Sequence, residues 1–146
     1  MKSPLLFTHT LLLSLFLLLS FSAKAQDSID ITELTGEALH IQLVETALKY
    51  DFYNKRCRGV SVSKEVNQVN RLFLKKYGLT VNNFIKEHIN RNTRAYQDQV
   101  KQQLYKELFE LGGCVEAKQK GLVSNFQQTF RHLLEKAETS PWFPLS

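Results

Sequence analysis

Residues 39–52 read LHIQLVETALKYDF, and two apolar rows run through them at helical spacing. Leu39, Leu43, Thr46 and Tyr50 form one row, and Ile41, Val44, Leu48 and Phe52 form another beside it, which predicts a helix with a broad apolar face. The expected end lies near Asn54. There Lys55-Arg56-Cys57-Arg58-Gly59 puts positive charge where a helix C-terminus favours it, followed by a glycine suited to a left-handed cap.

Downstream the same period returns. Ser61 and Ser63 are candidate N-caps for a second helix striped by Val66, Val69, Phe73 and Tyr77 and stopped by Gly78. Thr80 is a cap for a short third helix bearing Val81, Phe84, Ile85, His88 and Ile89, with Asn90 and Asn92 at its exit. A fourth helix is expected from Thr93 to Leu111, with Tyr96, Val100, Leu104, Leu108 and Leu111 inward, ended by Gly112-Gly113. From Val115 to Ala137 the pattern predicts a fifth, with Leu122, Phe126, Phe130, Leu133 and Ala137 on one face and Gly121 as a point of weakness. The aromatic residues at these spacings, Phe109 among them, are expected in the core or at its rim. With no sustained strand alternation and no fixed repeat, the fold class is all-α: a small bundle of four or five helices.

The upstream segment has another purpose. The first 25 of the 146 residues contain no acid, two lysines and a leucine-rich block, and close on Ala23-Lys24-Ala25. This is the layout of a cleaved signal peptide cut after Ala25, and the polar interruptions Thr8, His9 and Thr10 argue against a retained anchor. What remains is 121 residues with 17 basic and 14 acidic side chains, enough for one domain with a modest core and too mildly basic to suggest a nucleic-acid partner. No later apolar run exceeds three residues, so no stable membrane span is expected. The organisation read from the chain is a leader over 1–25, a loosely ordered lead-in over 26–35, a helical domain over 36–139 and a Pro/aromatic tail over 140–146.

Export sets the chemistry of the two cysteines. In an oxidising compartment Cys57 and Cys114 are expected as one disulfide, a staple between two interhelical corners, and the destination is the periplasm or the exterior, with a bacterial envelope preferred. The competing use of Cys57 as a nucleophile, beside Lys55, Arg56 and Arg58, lacks any cysteine-enzyme signature.

Catalytic motifs are missing throughout. Glu37-x-x-His40 has the spacing of a dimetal-bundle half-site, but the second Glu-x-x-His is lacking and His132 offers only a loose substitute. No metal, cofactor or catalytic residue is therefore assigned. The basic cluster Lys55, Arg56, Arg58 and Lys64 reads either as a solvated loop or as a contact for an acidic protein surface or anionic headgroup. Trp142 and Phe143, set between Pro141 and Pro144, serve either as a lid on the bundle or as an anchor for a partner. These six residues are the candidate partner contacts. The expected function is noncatalytic binding of another envelope or secreted protein, as an inhibitor, immunity or accessory factor; the alternatives are a metal protein or enzyme centred on Glu37, His40 and His132, and an envelope stress chaperone.

Overall fold

The computed structural model describes residues 30–145, so the leader and its cut lie outside the described residues. Six α-helices and no strand occur among them: α1 (Gly36–Arg58), α2 (Lys64–Tyr77), α3 (Val81–Phe84), α4 (Thr93–Leu111), α5 (Cys114–Gln119) and α6 (Leu122–Thr139). The fold is all-α and one disulfide, Cys57–Cys114, staples it with 5.5 Å between the Cα atoms.

α1 is the axis of the bundle. Its two apolar rows are served by different neighbours, and α2, α4 and α6 all pack against it. Leu43, Val44 and Ala47 have no exposed surface at all. Tyr77 of α2 and Trp142 beyond α6 meet α1 at His40, whereas Glu65 and Phe126 meet it near Asp51 and Tyr53. Both α2 and α6 therefore run antiparallel to α1 and parallel to each other.

The expected fifth helix is two. Gly121 adopts φ +83°, a left-handed value that L side chains rarely take, and its N–H bonds to the Lys118 carbonyl at 3.0 Å; the chain turns there and α6 starts afresh. The glycine is thus a full break, which raises the count to six. A second departure concerns capping. Thr80 caps α3 as its position suggests, accepting from the Asn83 N–H at 3.1 Å, and Asn92 caps α4 through the Ala95 N–H at 3.0 Å. Ser63 makes no cap bond. Instead the carboxylate of Asp51, on α1, accepts from the N–H groups of Glu65 at 3.2 Å and Val66 at 2.9 Å. A neighbouring helix supplies the anion that the first turn of α2 requires.

Phe109 is the clearest misplacement by pattern. The inward row of α4 is Tyr96, Val100, Leu104 and Leu108, and Phe109, one residue past that row and so about 100° round the helix, is 86% exposed. α3 continues directly into a π-helical turn, Ile85–Ile89, where the Asn90 N–H reaches the Ile85 carbonyl at 2.8 Å and His88 stacks on Phe84.

Both ends of the described chain are tied to the bundle. Ile31 and Leu34 pack on the core, and Lys136 donates to the Thr32 carbonyl at 2.6 Å. At the other end Lys76 donates to the carbonyls of Ala137, Glu138 and Ser140 at 2.7, 3.1 and 2.6 Å, satisfying the last turn of α6 where no glycine caps it. This clasp sends the tail back over α1. The Trp142 ring lies 4.5 Å from the ring of His40 and edge-on to Phe84 and Tyr77, while Phe143 remains 57% exposed beside Tyr77. The fold-back arrangement is the one adopted by Trp142. Replacing Trp142 with alanine should cost about 2 kcal/mol and Phe143 with alanine under about 0.5, read by thermal melting; equal melting of the two variants would remove the lid role.

Candidate functional site

The six candidate contact residues do not form one surface. Lys55, Arg56 and Arg58 are exposed on the last turn of α1 around Cys57, a helical and not a loop setting, and Lys64 is exposed at the start of α2, whereas Trp142 and Phe143 lie at the other end of α1. Trp142 meets α1 at His40, about 23 Å along the helix from Lys55 and about 27 Å from Arg58.

A groove separates α2 from α6. Because the two parallel helices flank α1 on the same side, an open channel runs between them. Its wider part, about 650 Å³, is lined by Gln68, Arg71, Leu72, Lys75, Lys76 and Glu138. A narrower recess of about 200 Å³ continues it past Gln68 to Lys64, Glu65, Gln127 and Arg131, over a floor of Tyr50, Phe130 and Leu134. Five cations thus line the channel against two carboxyls, Glu65 and Glu138. Lys64, Arg71, Lys75 and Arg131 make no ion pair among the described residues, and Lys76 is engaged with the α6 carbonyls. From Lys64 to Lys76 the positive wall extends about 18 Å.

One carboxyl in the recess is unusual. Glu65 is 6% exposed, and its Oε2 is buried without a hydrogen-bond partner among the described residues. Burial, reinforced by a hydrogen bond and charge repulsion from Asp51, pushes its pKa up to about 7. The negative charge that could offset the cations is thereby suppressed below neutral pH.

His40 and His88 are engaged by structural partners. A carbonyl can only accept, so His40 Nδ1 carries the hydrogen donated to Gly36 at 2.6 Å, and Nε2 accepts from the Tyr77 hydroxyl at 2.7 Å. Burial, with the nearby charge of Lys76, holds the His40 pKa below its ordinary value despite the Gly36 bond. Glu37 turns away from His40 and meets His88 Nδ1 at 2.9 Å. His132 sits apart on α6, and among the described residues no three His, Cys, Asp or Glu side chains converge as a metal site would require. The Glu37-x-x-His40 spacing therefore does not aim its two donors at one point.

Of the groove residues, only Lys64 is among the six candidate contacts. Arg71 and Lys75 follow it on α2 at seven- and four-residue steps, a periodicity visible in the sequence, but a charged helix flank has the same pattern whether it lines a channel or open water. Arg131 gives no such signal, since its place opposite them depends on the parallel setting of α2 and α6. No protein-family model, curated protein or solved structure matches this chain.

Proposed function

We propose that this protein is a noncatalytic binding domain of an oxidising compartment outside the cytosol, and that the α2–α6 groove holds an acidic, amphipathic helical segment of a partner protein. The observation carrying this reading is the row of three unpaired cations, Lys64, Arg71 and Lys75, along about 17 Å of the α2 wall, with a fourth, Arg131, facing them from α6. A compact phosphate would need its donors to converge on one point; these are strung along a helix and match charges distributed along a second helix. Leu72, with the edges of the otherwise buried Tyr50, Phe130 and Leu134, gives the floor a small apolar component for the inner face of such a segment. The disulfide supports the compartment, because a bridge of this kind persists where thiols are not kept reduced.

The test uses a fluorescein-labelled peptide of about four helical turns with leucine on one face and glutamate on the other. The expected result is salt-sensitive binding that weakens about tenfold or more in the double variant Arg71→Glu, Lys75→Glu, while a lysine-for-glutamate peptide does not bind. Both side chains are exposed, so the variant's melting temperature should stay within about 2 °C of the wild type. Undiminished affinity in the folded double variant would sink the reading.

A further inference from the structure

The disulfide end presents a different surface. Phe109 in the last turn of α4, Val115 in the first turn of α5 and Val62 between α1 and α2 are 86%, 68% and 63% exposed. The bridge holds these corners together, since Cys57 and Cys114 bound one open recess with Arg58, Val115 and Lys118. Arg56 lies over the Tyr105 ring at 5.5 Å, one turn before Phe109 on the same side of α4. Among the described residues none of Arg56, Arg58 and Lys118 is ion-paired.

We infer that this end docks on an anionic lipid surface, with Phe109, Val115 and Val62 entering the headgroup layer and Arg56, Arg58 and Lys118 meeting lipid phosphates. Charge complementarity and the placement of the apolar side chains point to lipid over protein. Phe109 and Val115 flank the α4–α5 corner and Val62 stands on the α1–α2 corner, and Arg56, Arg58 and Lys118 accompany them at this end of the bundle. A rigid partner would need to match apolar tips on two corners and to desolvate the accompanying charges. A fluid interface takes apolar tips to its acyl boundary and leaves the cations at phosphate depth, the arrangement of peripheral membrane proteins. The site is separate from the groove, so either can fail without the other.

The experiment uses the oxidised protein recovered after export of the full chain, with a reporter at the site itself. In Phe109→Trp combined with Trp142→Phe, the sole tryptophan reports insertion at position 109 independently of any other membrane-seeking segment. On vesicles of phosphatidylcholine with about a third phosphatidylglycerol, its emission should shift to the blue and be quenched by brominated acyl chains; pure phosphatidylcholine should give neither change. In the same background Arg56→Gln with Arg58→Gln should weaken the partitioning about tenfold or more. In the otherwise wild-type chain, Phe109→Ser with Val115→Ser should weaken co-sedimentation by a similar factor with melting unchanged. Absence of the blue shift on anionic vesicles would overturn the inference, as would equal response to neutral ones. Binding of poly-glutamate that depends on Phe109, without insertion into vesicles, would make this end a protein interface instead.

Discussion

Opening the Cys57–Cys114 bridge is expected to destabilise the protein by about 4 kcal/mol, a drop of about 15 °C in melting temperature, when Cys57→Ser with Cys114→Ser is compared with the oxidised chain. The bond closes a loop of 57 residues, and the loop-closure entropy it removes from the unfolded chain sets that figure. α2, α3 and α4 lie inside this loop, whereas α6 and all but the last two residues of α1 lie outside it, so the constraint acts on the segment that must pack against α1. Both cysteines sit at helix corners whose neighbouring side chains face solvent, and the bridge contributes little core of its own. The loss should therefore appear as a lower midpoint with helical circular dichroism retained in the cold. A melting temperature within about 3 °C of the oxidised protein would show that the loop is already restrained without the bond.

Asp51→Ala should cost about 2 to 3 kcal/mol, a large loss for one polar side chain, because it removes the acceptor of two backbone N–H groups in the first turn of α2. Removing Asp51 also takes away a negative neighbour of Glu65, so the two carboxyls are separated by their pH behaviour. Glu65 has its folded pKa raised from 4.5 to about 7, so it binds more protons folded than unfolded between those values. Its contribution is fully present below pH 4.5 and is lost as pH rises through about 7. Glu65→Gln should therefore match the wild type near pH 5 and exceed it by about 1 kcal/mol near pH 8, in denaturant titrations at the two pH values. His40 acts in the opposite sense. Its folded pKa is depressed below 6.5, so its contribution is present above that value and declines as pH falls through the folded pKa. A Glu65→Gln chain with the same alkaline decline as the wild type would exclude the buried carboxyl as its cause.

The helical class, the bridge and most helix limits were legible because each rests on short-range chemistry. Two apolar rows over residues 39–52 identify α1, Gly59 and Gly78 end helices where their sequence positions suggest, and two cysteines admit one intramolecular pairing. What escaped was decided across helices. Asp51 interrupts an apolar stretch with no local partner in view, and its use appears only when α2 begins beside it. Helical spacing suggests the core or its rim for Phe109, but its position is one residue off the inward row of α4, and the side chain is exposed. The groove needed α2 and α6 to lie parallel, and that follows from packing, whereas the charges themselves were in plain view.

The borrowed cap of α2 also carries a temporal implication. A segment that lacks a cap of its own has a weak start in isolation, and 14 residues are near the lower limit for a lone helix in water. Asp51 lies on α1, so the first turn of α2 has its anionic acceptor only when it is packed against that helix. Formation of α2 and its docking on α1 are thereby expected to coincide, and the Lys76 clasp on the end of α6 depends on that same docked helix.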